Sequence, residues 1–204
     1  GALGLAVALL VTGLVVMAFG GKAALLLGVA AVAWYNGLYA YLKRVSAFAA
    51  VPGAVTGALP PAIGWVWAGG GLDQAGIWVL GLFFFVWQVP HFWLVAMDHG
   101  LEYRQAGLPS LEDSLSADQI RRVTSQWVVA TAACSLLLSL SGLINAVATR
   151  SVLILAAFWL GARALSFHAG RLKPGAALFR EMNLYLLAVS LLLCFDHVAA
   201  ALMP

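Results

Sequence analysis

Long apolar runs, repeated almost without interruption, constrain this chain more than any other feature. Stretches of about twenty apolar residues occur at 2–19, 23–41, 50–69, 76–97, 121–143, 148–167 and 177–200. Roughly 20 such residues are what an α-helix needs to cross the hydrocarbon core of a bilayer. The runs are continuous rather than alternating, which argues against a membrane β-barrel. Seven spans fill nearly all of the 204 residues and leave no room for a separate water-soluble domain. The expected fold is therefore all-α: one polytopic transmembrane helical bundle, a single domain over 1–204. Composition agrees, because only 9% of residues are charged, against about 25% in soluble domains.

The basic residues predict an orientation. If the second span ends in the cytoplasm, that side carries Lys43, Arg44, Arg104, Arg121, Arg122, Arg163, Arg171, Lys173 and Arg180. The other side carries only Lys22 and Arg150. This asymmetry obeys the positive-inside rule, puts the first residue inside and the last outside, and explains the net charge of +3 without nucleic acid. Cys134 and Cys194 lie within apolar spans and read as buried thiols. The sequence opens on Gly1 with no initiator Met and no basic leader, and reads as the C-terminal part of a longer protein.

One connection stands apart. DHGLEYRQAGLPSLEDSLSADQIRR, residues 98–122, is the longest polar stretch and holds five of the eight carboxylates. Ser116 and Gln119 have capping-box spacing and should open the next helix, while Gly107-Leu108-Pro109 marks a turn. Asp98 and Glu102 are four residues apart, so a helix continued past the membrane would present both on one face. Two carboxylates there, joined by substrate phosphates, suit a hard cation such as Mg²⁺. Lys43, Arg44 and Arg104 lie on the same membrane side, and fixed cations beside a carboxylate–metal pair can bind a diphosphate and stabilise its departure. A solvated helix end and ordinary interfacial basic residues are the competing readings.

Two spans carry unusual residues. VPGAVTGALPPAIGW places Pro60-Pro61 where an uninterrupted helix would not choose them, which predicts a break beside a cavity. FFFVWQVPHFWLVAMD places Gln88 and His91 among Trp87, Trp93 and other aromatics. Polar groups at membrane depth tend to face the bundle interior, and the aromatics suit an isoprenoid chain or a flat macrocycle. In the last span Arg180 and Glu181 read as interfacial, and Asp196-His197 receives no role.

YAYLKRVSAF, GAVTGALPPAIGW, FVWQVPHFW, EYRQAGLPSL and LFREMNLYLLAVSLLLCFDHV together resemble the UbiA superfamily of intramembrane prenyltransferases, and within it the branch that farnesylates heme. The segments occur in the family's order and cover most of the chain. The resemblance implies a nine-helix bundle, with two spans and a first acidic motif missing ahead of Gly1, so this piece alone should be nearly inactive. It implies catalytic roles for Asp98, Glu102 and Tyr103, metal binding by Asp98 and Glu102, and diphosphate contacts from Lys43, Arg44 and Arg104. It further implies a heme or prenyl pocket at Asn36, Trp87, Gln88, His91 and Trp93. The substrates would be farnesyl diphosphate and heme b, the cofactor Mg²⁺ and the product heme o. The setting would be a bacterial inner membrane with the site on the cytoplasmic side, and terminal-oxidase assembly factors would be conceivable partners. Two positions depart from the pattern: Ala49, where Asn is expected, and Glu102, where Asp is usual. The alternatives are a non-catalytic heme-handling membrane protein and a relative acting on a quinone precursor. A transporter should show two related halves, and no internal repeat is visible.

Overall fold

The computed structural model describes residues 2–171 and 176–202, without the side chains of residues 2–10, 16, 19 and 104. Helices occupy all seven expected places. Helix α1 (Ala2–Ala33) is divided at Gly21, whose φ of 72° breaks the helical path where a turn was expected. Only glycine adopts that conformation without strain. The helix then passes through a π-helical segment, Trp34–Tyr39, into α2 (Ala40–Leu42). After a 3₁₀ turn at Ala47–Ala49 come α3 (Ala50–Gly53), α4 (Val55–Trp67), α5 (Ala75–Asp98) and α6 (Gly100–Gln105). A second 3₁₀ turn, Leu111–Asp113, precedes α7 (Ala117–Leu138), α8 (Val147–His168) and α9 (Ala176–Leu202).

Among the described residues five helical segments are long and apolar enough to cross a membrane: Gly20–Leu42, Ala47–Trp67, Ala75–Asp98, Val147–His168 and Ala176–Leu202. The chain is a multi-pass membrane protein. Helix α7 was expected as a further span, but Asp118, Arg121 and Arg122 in its first turns leave it more polar than those five.

Helices α5, α7, α8 and α9 pack in a closed cycle, each against the next, and α4 and then α1 extend the assembly outward from α5. Phe83, Leu94, Val128, Leu153, Leu160, Phe167 and Met182 fill the cycle. A smaller cluster of Ala50, Ala54, Val89, Trp93, Leu111 and Ile120 ties α3 and α5 to the 98–116 connection. In lipid, burial of apolar surface gives little drive for helices to associate, so close packing and interhelical hydrogen bonds carry more of the specificity. The cross-links are present. Trp87 donates its indole N–H to the Met182 carbonyl at 3.1 Å, and Tyr185 and Ser135 share a buried hydroxyl pair. Arg163 and Glu181 form a two-point ion pair at 2.9 and 2.7 Å between α8 and α9. Glu181 thus does more than sit at the interface, as the sequence suggested.

Three expectations are corrected. Pro60 and Pro61 lie inside a continuous α4, and the helical path is interrupted one turn earlier, at Ala54. Proline removes the bonds that would reach back to Thr56 and Gly57. Both prolines fall close to the start of α4, where the Gly57 N–H donates to the Ala54 carbonyl at 2.9 Å and the Thr56 hydroxyl to Gly53 O at 2.7 Å. Cys194 is exposed on α9 rather than buried, and Cys134 is half-buried; both are free thiols. Asp98 and Glu102 do not share one helix, because α5 ends at Asp98. His99 (φ −111°, ψ 25°) leaves the helical region, its N–H and its imidazole Nδ1 both satisfying the Val95 carbonyl. Such a side chain at a helix C-terminus adds a second donor to one of the last-turn carbonyls.

Candidate active site at one end of the bundle

The 98–116 connection is more ordered than a polar loop. Gly107 turns the chain with φ 67°, as the sequence predicts. Ser110 opens the 3₁₀ turn as a capping box, donating its N–H to Asp113 Oδ2 at 2.7 Å. Ser116 and Gln119 form the expected second box at the start of α7. Asp113 and Asp118 are thereby committed, the first to its cap and the second to an ion pair with Arg121.

The connection also lines two hollows. The first, of about 380 Å³, is walled by Met97, Asp98, His99, Gly100, Leu101, Glu102 and Glu112. Although the helix breaks between them, Asp98 and Glu102 still face one cleft, and the 3₁₀ turn adds Glu112. Among the described residues no three His, Cys, Asp or Glu side chains converge closely enough to hold a metal ion by themselves. The donor set nonetheless suits a hard cation, which binds through one or two carboxylates and completes its shell with water and phosphate oxygens.

The second hollow, about 50 Å³, is lined in part by the same connection, through Tyr103, Pro109, Ser110 and Leu111. Its wall includes Tyr39, Lys43, Ser46, Phe92, Trp93, Tyr103 and Ser110. Lys43 and Tyr103, predicted from separate segments, are brought together here. Arg44 is exposed and takes no part in this wall. The side chain of Arg104 and the whole of Lys173 lie outside the described residues.

Tyr39 is the neighbour that sequence reasoning missed. Its ring stacks on Phe92, with centroids 6.0 Å apart and planes at 21°, and the Lys43 ammonium sits 5.8 Å from its centroid. That distance is within cation–π range. Gly53 makes the placement possible, since a β-carbon there would lie 2.5 Å from the Tyr39 ring. The i, i+4 spacing of Tyr39 and Lys43 is the signal that could have exposed the pair.

The residues expected to form one interior pocket separate around α5. At about 100° per residue, positions 87, 88, 91 and 93 cannot share a face. Trp87 and His91 look toward α9: their rings are 4.5 Å apart, His91 lies 5.0 Å from Phe179, and its Nδ1 meets Asn183 Oδ1 at 3.1 Å. Gln88 abuts Gly57 on α4. Trp93, only 2% exposed, packs edge-on against Phe48 and Trp127, and its indole N–H has no partner among the described residues. Asn36 is exposed and donates to the Val32 carbonyl of its own helix, away from the others.

The sequence matches the model of the UbiA prenyltransferase family over residues 1–192. Among curated proteins it is similar to the protoheme IX farnesyltransferase of Geobacter sulfurreducens, at 46% identity over 132 residues, 65% of this chain and 49% of the relative. It is similar to the protein of that name from Oleidesulfovibrio alaskensis, at 36% identity over 184 residues, 90% of this chain and 64% of the relative. The Aquifex aeolicus protein of the same name is 32% identical over 145 residues, 71% of this chain and 49% of the relative. The chain thus spans about half to two-thirds of the length of these relatives. No solved structure matches it.

Proposed function

The chain belongs to the UbiA prenyltransferase family, and on that premise we propose that it forms most of an intramembrane enzyme that transfers a farnesyl group from farnesyl diphosphate to heme b, giving heme o. The observation that carries this reading is that one connection lines two hollows, the first with Asp98, Glu102 and Glu112 and the second with Lys43, Tyr39 and Tyr103. An anionic leaving group needs cationic and hydrogen-bonding partners that strengthen as its charge develops. The choice of farnesyl donor and heme acceptor is supported by the name that these relatives share, protoheme IX farnesyltransferase.

In the proposed reaction the C1–O bond of the allylic diphosphate breaks and both electrons leave with the diphosphate. The π electrons of a heme vinyl group form the new bond to C1. The cation left beside the porphyrin takes water and loses a proton, completing a hydroxyethyl group. Asp98 and Glu102, with Glu112 beside them, would hold Mg²⁺, which supplies charge neutralisation to the departing diphosphate. Lys43 and the Tyr103 hydroxyl meet the diphosphate from the second hollow. Tyr39 holds the Lys43 ammonium over its ring, so that the cation is positioned before substrate arrives. Phe92 and Trp93 close the inner wall of that hollow against water. The basic asymmetry of the sequence supports a cytoplasmic location for this end of the bundle.

The test uses the full-length protein with heme b, farnesyl diphosphate and Mg²⁺, with heme o separated by chromatography. Glu102→Gln and Lys43→Ala should each lower turnover by about 100-fold or more, the scale for removing one group that stabilises developing charge. Unchanged heme o in both variants would show that the chemistry happens elsewhere.

A further inference from the structure

His91 sits about 10 Å deeper in the membrane than Asp98, seven residues along α5 at ~1.5 Å each. Its surroundings are unusual for a histidine that merely joins two helices. Asn183 Oδ1 can only accept, so the 3.1 Å contact places the ring proton on Nδ1. Nε2 is then left with its lone pair, and among the described residues it has no hydrogen-bond partner. The ring itself is fixed: Trp87 one turn away stacks at 4.5 Å with a 32° tilt, Phe179 on α9 approaches to 5.0 Å, and Phe92 lies at 6.0 Å. Trp87 is anchored in turn by its bond to the Met182 carbonyl, one residue before Asn183. His91 is only half-buried.

An imidazole whose Nδ1–H is tied to an oxygen while Nε2 stays bare has the arrangement of a metal-ligating histidine with its supporting partner in place. Flat aromatic rings beside it suit a flat macrocycle. We infer that His91 Nε2 is an axial ligand to the iron of the porphyrin acceptor, with Asn183 as the positioning residue that sets its tautomer. The inference rests on the proposed heme substrate and adds to it a point of attachment. An axial bond fixes the iron and lays the macrocycle plane across the Fe–N direction. The reacting vinyl group is then presented from the ring's edge, while the diphosphate is held nearer the end of α5. Iron ligation and prenyl transfer therefore use different atoms of the same substrate, and the ligand need not change during the reaction.

The experiment titrates ferric protoheme IX into the full-length protein in detergent, reading the Soret band and the electron paramagnetic resonance spectrum. Wild type should bind heme with the signature of imidazole ligation. His91→Ala should lose that signature and weaken heme binding by about 10- to 100-fold, and added imidazole should restore the spectrum. Asn183→Leu should weaken binding in the same direction while keeping the imidazole signature. If alanine prevents folding, His91→Met, which preserves bulk, should replace the imidazole signature with that of a thioether. An imidazole signature that survives in the His91 variants would overturn this inference and leave the heme substrate standing. Failure of wild type to bind heme at all would overturn the substrate reading itself.

Discussion

Asp196 on α9 accepts the backbone N–H of Asn145 at 2.6 Å, and its second oxygen takes the N–H of Ala146 at 3.0 Å. Ala146 is the N-cap of α8 and has no side chain with which to cap it. A carboxylate from the neighbouring helix thus satisfies the two backbone donors just ahead of the first turn of α8, and its charge sits favourably at a helix N-terminus. The Asn145 amide adds a third bond at 3.2 Å, and the carboxylate is almost wholly buried.

Asp196→Ala should therefore leave two backbone donors without partners and lower stability by about 1–3 kcal/mol. Thermal unfolding in detergent reads this directly. Asp196→Asn, which keeps one acceptor oxygen, should fall between alanine and wild type. A melting temperature unchanged by alanine would mean that these two donors find other partners.

Gly53→Ala places a methyl group against the Tyr39 ring, 2.5 Å from its nearest atom. The ring must move and carry the Lys43 ammonium with it. Turnover should fall by up to about 100-fold, the scale for a misplacement of about 1 Å at a reacting centre. The thermal midpoint should change little, because the displaced groups line a hollow rather than the main core. Full activity in Gly53→Ala would show that the Tyr39–Lys43 geometry does not matter to the chemistry.

Removal of divalent metal by a chelator should abolish heme o formation by the full-length protein while leaving heme absorption bands unchanged. The carboxylate cleft and His91 lie at different depths, so only the first should depend on the cation. Loss of both signals together would contradict that separation.

Single cysteines replacing Arg44 and Arg122, both exposed at helix ends, should resist an impermeant thiol reagent applied outside intact cells. A cysteine at Leu140, 82% exposed between α7 and α8, should react. The reverse pattern would invert the orientation.

The spans were legible because twenty apolar residues in lipid have little alternative to helix. The turns at Gly21 and Gly107 and the Ser116 capping box were legible because their chemistry is local. The placing of Lys43 on the membrane side of the 98–122 connection followed from topology, since alternate spans return to one side, whereas Tyr103 came from the family resemblance. What was not legible depends on neighbours distant in sequence. The end of α5 at His99 could not be read from the spacing of Asp98 and Glu102, which suits a continuing helix equally well. Tyr39 owes its place to Gly53, and Asp196 owes its partners to a turn fifty residues away. Trp87, Gln88, His91 and Trp93 read as one pocket along the sequence but are spread over several faces by the helical pitch.

The π-helical segment Trp34–Tyr39 behaves as a single-residue insertion absorbed within a helix. One extra residue rotates everything beyond it by about 100° relative to everything before it. The upstream part of the helix can therefore keep its phase toward lipid, while Tyr39 and Lys43 take an independent phase toward the carboxylate connection. Deleting one residue between 34 and 39 would lengthen no loop and empty no core position, yet it would turn the cation away from the site.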